Sequence, residues 1–483
     1  MRVIRAINSP LNIQLADIPP SPFVNTKSLL FNGIDDYIEL GSISHLQNAT
    51  EYSISSWFKT PLTALQGIWT WFDGADGWLE LNCSSDGSMA ANVTRFGIAT
   101  YGIASAGTLS ANTWHNATVI FNGGGATNAD RLKLYLNGSL ITLTFTGTIP
   151  TQTGTMLTSG LHIGERYNGV NYFNGNIDEV SIFDSAISIG DVWDGSGQPT
   201  DLSLLATPPT NWYRMGDNGS YKSPQWLIPN NENKDKVSNY SLSFDGVDDY
   251  VDCGNSAALK PNIITVSCWI KGSANSAFTR IISQDGPTGG ADAYGFYVTT
   301  ATNKIVFAIK TDVTGTVTSA TSGVVLDNNW HHLVGTYDGS EVILYVDGVA
   351  VGSPSAGTSV LSYGSGTLTI GCFSEPTSLP SYLFNGNIDE VSIFDSVIPI
   401  GDLWDGSGEP IDVSAVSGLT NNWRMGEEAT FSGGVWTVPD AVGSNDGTSN
   451  AMTIEDRVGE APNSENNALS INMDFVDVVP DVP

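Results

Sequence analysis

The stretch FNGNIDEVSIFDSAISIGDVWDGSGQP (173–199) decides how this chain is organised, because it occurs twice. It returns as FNGNIDEVSIFDSVIPIGDLWDGSGEP at 384–410, with 23 of 27 residues identical. Within it, EVSIF alternates apolar and polar residues, so Val180 and Ile182 face the same side of a predicted β-strand. A spacing of 211 residues indicates duplicated domains rather than a solenoid of short repeats.

Other segments on either side of this stretch recur at a similar spacing. SLLFNGIDDYIELG (28–41) returns as SLSFDGVDDYVDCG (241–254), SISSWFKT (53–60) as TVSCWIKG (265–272), and LYLNG (134–138) as LYVDG (344–348). The repeats predict an extended N-terminal arm (1–27), a first domain (28–199), a connector (200–240), a second domain (241–410) and a connector-like C-terminal tail (411–483).

The tail carries one further similarity. NNALSINMD (466–474) resembles NYSLSFD (239–245), the opening strand of the second copy. We therefore predict that the tail adds a strand to an exposed sheet edge, in the same chain or in a neighbouring one.

The local patterns predict an all-β fold. Asn137-Gly138 and Asp347-Gly348 interrupt apolar alternations and accept the positive φ angles of a type I′ turn, so each marks a β-hairpin. In SISSWFKT, Ile54 and Phe58 share one face of a strand and Trp57 lies on the other. Short strands joined by turns, in a chain with 52 glycines, predict two tandem antiparallel β-sandwiches.

Composition excludes several function classes. The net charge is −31 with only 19 Lys and Arg residues, so the chain lacks the basic face that a nucleic-acid phosphate backbone requires. The acid excess favours solubility and divalent-cation binding. No window offers about 18 apolar residues, which excludes a membrane-spanning helix, and the N-terminus lacks the apolar core of a signal peptide.

The cysteines predict no disulfide framework. Cys83 lies in the first copy, and Cys253, Cys268 and Cys372 lie in the second. This uneven split favours buried free thiols.

The ordered series FDGVDDYV, VSCWIKG, NNWHHLVGTYDG, ILYVDGVAV, TLTIG and FNGNIDEVSIF resembles the laminin-G-like jelly roll of the concanavalin A-like lectin/glucanase superfamily. The first copy carries the same order, and the similarity covers about 340 of the 483 residues. The resemblance implies two antiparallel sheets in a jelly roll, with glycan or protein recognition and adhesion as common roles. After each copy a shorter connector recurs, NWYRMGD…QWLIPN (211–230) and NWRMGEE…VWTVPD (422–440), and tandem domains joined by such connectors resemble structural proteins of marine phages.

The resemblance further implies a structural Ca²⁺ near the junction of the first and last strands. The matching residues are Asp245, Asp248, Asp249 and Asp389 in copy two, and Asn32, Asp35, Asp36 and Asp178 in copy one. Because Asn32 replaces the carboxylate of Asp245, we expect the first site to bind more weakly. The alternative is that these side chains only cap turns.

An aromatic segment distinguishes copy one. GIWTWFDGADGWLE contains Trp69, Trp71 and Trp78, which copy two lacks, and it is the candidate ligand-binding surface. The alternative is that these tryptophans pack in the core, as most tryptophans within strands do.

The sequence predicts a protein that is not an enzyme. Glucanases of the resembling superfamily place their carboxylates on one face of a strand, whereas the adjacent Asp178 and Glu179 lie on opposite faces. The chain also has no HExxH motif and no GxSxG elbow. A glycoside hydrolase is therefore only a remote alternative.

Two non-catalytic functions stay open. The first is a virion structural or display protein, of the head-decoration, head-fibre or tail-fibre type, that contacts virion proteins or self-associates and also adheres to surface glycans. The absence of a signal peptide, the flanking arms and the phage resemblance favour it. The alternative is a secreted or cell-surface carbohydrate-binding adhesin.

Overall fold

The structure, a computed structural model, describes residues 23–74, 77–95, 100–155, 160–166, 169–273, 278–286, 292–299, 304–310, 317–356, 360–373 and 381–483. Most of the predicted N-terminal arm (1–27) lies outside the described residues. The predicted all-β fold is confirmed: the strands form four antiparallel sheets, two in each copy of the repeat. We call the copies sandwich one and sandwich two.

Sandwich one begins with sixteen strands. They are β1 (Ser28–Asn32), β2 (Tyr37–Glu39), β3 (Glu51–Lys59), β4 (Gln66–Asp73), β5 (Gly77–Cys83), β6 (Met89–Arg95), β7 (Tyr101–Ile103), β8 (His115–Asn122), β9 (Leu132–Leu136), β10 (Ser139–Ile141), β11 (Thr144–Thr146), β12 (Leu161–Ile163), β13 (Asn174–Phe183), β14 (Asn211–Tyr213), β15 (Ser220–Lys222) and β16 (Gln225–Ile228).

Sandwich two follows with seventeen strands. They are β17 (Ser241–Asp245), β18 (Tyr250–Asp252), β19 (Ile264–Ser273), β20 (Thr279–Asp285), β21 (Asp292–Val298), β22 (Lys304–Lys310), β23 (Val317–Val325), β24 (Asp327–Tyr337), β25 (Glu341–Val346), β26 (Val349–Ala356), β27 (Leu368–Ile370), β28 (Asn385–Phe394), β29 (Leu419–Trp423), β30 (Thr430–Ser432), β31 (Val435–Val438), β32 (Gly447–Asn450) and β33 (Arg457–Val458).

Two last strands, β34 (Ala468–Ile471) and β35 (Val478–Val479), follow sandwich two in the chain. Helical structure among the described residues is short. It comprises one α-helix, Asn128–Arg131, and 3₁₀ turns at Ser44–Leu46, Ile189–Asp191, Leu202–Leu204, Ala257–Leu259, Ile400–Asp402, Ile454–Asp456 and Phe475–Asp477. No helix in the described ranges is long and apolar enough to cross a membrane.

The two sandwiches repeat one topology. In sandwich one, sheet A has the order β10-β9-β8-β3-β13-β1-β35, and sheet B the order β11-β7-β6-β5-β4-β12-β2-β34-β16-β15. In sandwich two, sheet C has the order β26-β25-β24-β19-β28-β17-β33, and sheet D the order β23-β22-β21-β20-β27-β18-β32-β31-β30. Strands β14 and β29 pair with the equivalent strands β13 and β28.

The tail completes sandwich one from the far end of the chain. β34 pairs with β2 on one side and with β16 on the other, while β35 pairs with β1. All of sandwich two is therefore inserted between β16 and β34, two neighbouring strands of sheet B. The segment 411–483, expected to be a connector-like tail, contributes strands to both sandwiches.

The prediction that residues 466–474 add a strand is confirmed within the same chain, but two details were wrong. The strand fills a gap inside sheet B rather than an exposed edge. It also matches β32, not the opening strand of a third copy. Ile471 lies opposite Tyr37 as Asn450 lies opposite the equivalent Tyr250, so residues 468–479 correspond to 447–458.

Each sandwich encloses its own hydrophobic core between its two sheets. Ile54, Phe58, Val180 and Ile182 all lie in the core of sandwich one, which confirms the alternation predicted for their strands. Asn137 and Gly138 have φ values of 47° and 75°, and Asp347 and Gly348 have 49° and 76°, as the predicted type I′ hairpins require. The four cysteines are buried free thiols, also as predicted.

Tryptophans cover the outer faces of sheets A and C. Trp57 stacks on Trp193 at 5.5 Å between ring centroids, and Trp269 lies 5.5 Å from Trp404. Trp193 also lies against the hairpin glycine Gly138, where an added Cβ would approach its Cδ1 to 2.2 Å. Trp193 and Trp404 belong to the near-identical segments 173–199 and 384–410. Each segment therefore packs against the outer face of the sheet in its own sandwich.

Candidate functional site

A groove of about 300 Å³ lies on the outer face of sheet B. The alternation of β5 sends Leu79 and Leu81 into the core and leaves Trp78 and Asn82 on the groove side. Neighbouring strands and the segment after β12 contribute further groove residues, which include Asn92, Thr94, Tyr101 and Arg166. The groove thus combines two aromatic rings with several hydrogen-bonding side chains.

A buried ion pair fixes the polar side of the groove. The Arg166 Nε donates a 2.7 Å hydrogen bond to Oε1 of Glu80, and the Asn92 amide donates to Oε2 of the same carboxylate. Burial raises the pKa of Glu80, and the Arg166 guanidinium opposes that shift. Arg166 also lies 5.3 Å from the centre of the Trp78 ring. The carboxylate therefore holds Arg166 over the indole, and the pair carries no net charge.

Only one of the three predicted ligand-binding tryptophans reaches this groove. Trp69 and Trp71 are completely buried in the core of sandwich one, so the expectation of an exposed surface is wrong for both. Trp78 lines the groove and contacts Phe72 edge-to-face at 5.6 Å. A bulge between Gly67 and Trp69 sets the facing of β4, which places both core tryptophans inward.

The acidic turn of sandwich two brings three of its predicted cation ligands together. Asp245, Asp248 and Asp249 offer carboxylate oxygens that all lie within 4.8 Å of one another. Asp245 Oδ1 also accepts the Val247 N–H at 2.7 Å, which closes the turn. Burial and the neighbouring carboxylates, Asp456 among them, raise the pKa of Asp249 to about 6. Crowded carboxylates of this kind suit an oxygen-seeking divalent cation.

The equivalent turn of sandwich one satisfies its carboxylates internally. The Asn32 Nδ2 donates hydrogen bonds of 2.9 Å to both Asp35 Oδ1 and Asp36 Oδ1. The amide thus supplies the donor that sandwich two lacks at Asp245. Burial and the charges of Asp477, Asp35 and Asp474 raise the pKa of Asp36 to about 7.

The structure does not bring Asp178 and Asp389 to these turns. Asp389 lies opposite Trp269 on β28, whereas Asp245 lies opposite Asn385, four residues along the same strand. Asp389 groups instead with Glu390 and Glu427. The predicted four-residue ligand sets are therefore split, because a strand rises about 3.3 Å per residue.

Asp178 and Asp389 anchor the segment that precedes the first strand of each sandwich. Asp178 Oδ2 accepts from the Asn25 amide at 2.9 Å, and Asp389 Oδ2 accepts from the Ser238 hydroxyl at 2.7 Å. The same segment is bound by Asp217 in sandwich one, through the N–H of Thr26 at 3.0 Å. These contacts give the near-identical IDE sequence a structural role in both copies.

The next residue of each strand holds the connector. Glu179 Oε1 accepts from Arg214 Nε at 3.0 Å, and Glu390 Oε1 accepts from Arg424 Nε at 3.0 Å. Both glutamates lie at a bulge between paired strands and have a backbone φ of 45°. This is a left-handed conformation that residues other than glycine rarely adopt. Burial raises the pKa of each to about 7, although the arginine opposes that shift.

Several residues of the groove were not predicted from the sequence, although the alternation of residues along two strands indicates them. Trp78, Glu80 and Asn82 alternate along GWLELNC, and Asn92 and Thr94 alternate along the next strand. The alternation would have placed them on one face. It would not have paired the face with Arg166, which is remote in sequence.

The Laminin_G_3 family model, described as the concanavalin A-like lectin/glucanases superfamily, matches residues 32–192 and 245–399. The two matched regions coincide with the repeated cores of the sandwiches and together span more than half of the chain. No curated protein sequence matches the chain significantly.

Solved structures with similar folds include three from different contexts. Domains LG4-5 of the mouse laminin alpha1 chain are 11% identical, with 80% of this chain and 93% of that chain covered and a TM-score of 0.27. A putative carbohydrate binding protein from Bacteroides ovatus is 13% identical, with 89% and 95% covered and a TM-score of 0.36. The CBM40 of Ruminococcus gnavus IT-sialidase is 12% identical, with 34% and 95% covered and a TM-score of 0.27. Because the identities and TM-scores are this low, these structures do not indicate the function of the chain.

Proposed function

The chain belongs to the concanavalin A-like lectin/glucanases superfamily, and on that premise we propose that it is a non-catalytic recognition protein that binds a neutral glycan in the groove of sandwich one. The observation that carries the proposal is the combination of Trp78 and Tyr101 with Asn82, Asn92 and Thr94 in a single groove of about 300 Å³.

Each part of this groove suits a sugar ring. An aromatic ring packs against the apolar C–H face of a sugar, while amide and hydroxyl groups exchange hydrogen bonds with the sugar hydroxyls. Arg166 already pairs with the Glu80 carboxylate, so its positive charge is balanced within the protein. The groove therefore suits a neutral sugar better than an acidic one. A volume of about 300 Å³ is at the lower end of the usual range for ligand pockets.

The carboxylate content of the groove supports a role without catalysis. Glycoside hydrolysis needs a pair of carboxylates that flank the bond to be cleaved. Among the described residues that line the groove, none is Asp or Glu, and Glu80 beneath them is committed to Arg166 and Asn92. The remote alternative of a hydrolase gains no support from this arrangement.

A glycan array followed by titration calorimetry tests the proposal. We expect the protein to bind a neutral oligosaccharide, and Trp78→Ala to weaken that binding at least about tenfold, since a stacking aromatic contributes roughly 1–3 kcal/mol. Phe475→Ala is the matched control, because Phe475 is an exposed aromatic outside the groove. If Trp78→Ala and Phe475→Ala bind the same glycan as tightly as the unchanged protein, the groove is not the site.

We also propose that a Ca²⁺ ion occupies the turn of sandwich two. Support comes from the three converging carboxylates of Asp245, Asp248 and Asp249 and from the contrast with Asn32, whose amide bridges the carboxylates of the other turn. The ion would act structurally, by neutralising the turn that joins β17 to β18.

For the setting in which recognition takes place, we propose display on a virion, with a secreted or cell-surface adhesin as the alternative. The phage resemblance supports display. Of the two arms expected to flank the domains, the C-terminal one packs into the sandwiches, and residues 1–22 of the N-terminal one lie outside the described residues. If display on a virion is correct, mass spectrometry of purified particles will detect the chain. If the protein is a secreted or cell-surface adhesin, the purified particles will not contain it.

A further inference from the structure

A second pocket, of about 410 Å³, lies in sandwich two beside the Glu390–Arg424 ion pair. Its apolar wall includes Val237, Val413 and Leu419. The proposed glycan groove belongs to sandwich one, so this pocket is a separate feature. Its equivalent in sandwich one is filled, and the filling shows which chemistry the pocket accommodates.

We call the two paired strands and the glutamate–arginine pair around the pocket its frame. This frame is the same in the two sandwiches. Trp212 lies opposite Ser181 on β13, and Asn422 lies opposite the equivalent Ser392 on β28. The two arginines make the same bond to their glutamates, and their Nη2 atoms donate to the equivalent carbonyls of Val24 and Val237. Differences between the sites therefore come from the side chains that fill the frame.

In sandwich one, two aromatic side chains fill the frame. The Trp212 Nε1 donates a 2.6 Å hydrogen bond to Glu179 Oε2. Phe23 stacks on the Trp212 ring at 6.0 Å, and the Arg214 guanidinium lies 4.3 Å from the centre of the Phe23 ring.

In sandwich two, neither aromatic is present. Asn422 replaces Trp212, and Lys236 replaces Phe23 and extends towards Glu409, 3.6 Å away. Glu390 keeps its bond to Arg424, but the indole donor to its second oxygen is gone. Asn422 is also buried, and its Oδ1 has no hydrogen-bond partner among the described residues.

We propose that this pocket of sandwich two binds a planar aromatic ring that carries a ring N–H, with indole as the simplest example. The ring lies against the Arg424 guanidinium, where a cation–π contact forms as it does at Arg214. Its N–H donates to Glu390 Oε2, as the Trp212 indole does to Glu179. The bound ring thus supplies in sandwich two the packing and the N–H donor that the Trp212 side chain supplies in sandwich one.

Titration calorimetry with indole tests this proposal. We expect saturable binding at one site per chain, and binding of 1-methylindole about tenfold weaker, because methylation removes the N–H that donates to the Glu390 carboxyl oxygen. N-acetyltryptophanamide carries the same ring on a peptide backbone. If it binds more tightly than free indole, the natural source of the ring is a protein side chain; if it binds more weakly, the source is a small molecule.

Two variants bring the test to the pocket itself. Lys236→Phe combined with Asn422→Trp copies sandwich one, and we expect it to abolish indole binding and to raise the melting temperature, since the pocket is then filled. Asn422→Trp alone serves if the double variant does not fold. The proposal is overturned if the unchanged protein shows no saturable binding, if 1-methylindole binds equally well, or if filling the pocket leaves binding unchanged.

Discussion

Two methionines 21 residues apart belong to different sandwiches, and this provides a direct test of the inserted topology. Met452 lies in the core of sandwich two, and Met473 lies in the core of sandwich one. Both side chains are at least 98% buried, with 2% and 1% exposed. We predict that Met473→Ala destabilises sandwich one, although its position is more than 240 residues beyond β16, and that Met452→Ala destabilises sandwich two.

The expected size follows from burial. Truncation of a fully buried methionine costs about 2–5 kcal/mol, because the lost apolar contacts are joined by a residual cavity. For a domain of roughly 150–250 residues, 1 kcal/mol lowers the melting temperature by about 2–4 °C, so each variant should melt roughly 4–20 °C lower in one transition. The two variants are matched in chemistry and differ only in the core that they reach.

Hydrogen exchange with mass spectrometry shows which sandwich is affected. We expect Met473→Ala to lower protection in β2, β12 and β16, and Met452→Ala to lower protection in β18, β27 and β31, because these strands share a sheet with the altered segment. If Met473→Ala lowers protection in sandwich two and leaves β2 and β16 unchanged, the insertion of sandwich two within sandwich one is refuted.

Three further predictions follow from the turns and the ion pairs. Ca²⁺ should raise the melting temperature of sandwich two relative to chelator, and Asp245→Asn should abolish that difference; coincident curves for the unchanged protein would contradict the ion. Burial raises the pKa of Glu179 and Glu390 to about 7 from 4.5, so the folded protein holds protons that the unfolded chain releases. Their contribution to stability is present below about pH 4.5 and is lost as pH rises through 7. Calorimetric melting temperatures should therefore fall from pH 5 to pH 8, and Glu390→Gln should reduce the fall; an unchanged pH dependence would contradict the assignment. Gly348→Ala should cost roughly 1–3 kcal/mol, because φ is 76° and the new Cβ would lie 2.1 Å from the Trp404 ring, whereas Gly401→Ala, with nothing within 4 Å, should be neutral in urea unfolding.

The candidate sites were predicted unevenly from the sequence. The acidic turn of Asp245, Asp248 and Asp249 was identified correctly as a cluster because its residues are close in sequence and a turn keeps them together. Asp389 was assigned to it by family resemblance, and the register of β17 on β28 places it elsewhere. Trp78 was chosen together with Trp69 and Trp71, and only strand facing separated the groove residue from the two core residues.

By itself, the sequence determined the repeat, the all-β class, the hairpins and the buried thiols, because each depends on composition or on residues a few positions apart. Only the tertiary structure decided which strands meet across long separations. It joined β34 to β2 and β16, placed Arg166 over Trp78, and showed that Trp212 and Phe23 fill in one sandwich the space that Asn422 and Lys236 leave open in the other. The physical reason is that strand pairing depends on backbone hydrogen bonds that every residue can form. Partner and register are therefore selected by how the side chains pack once the whole sandwich assembles.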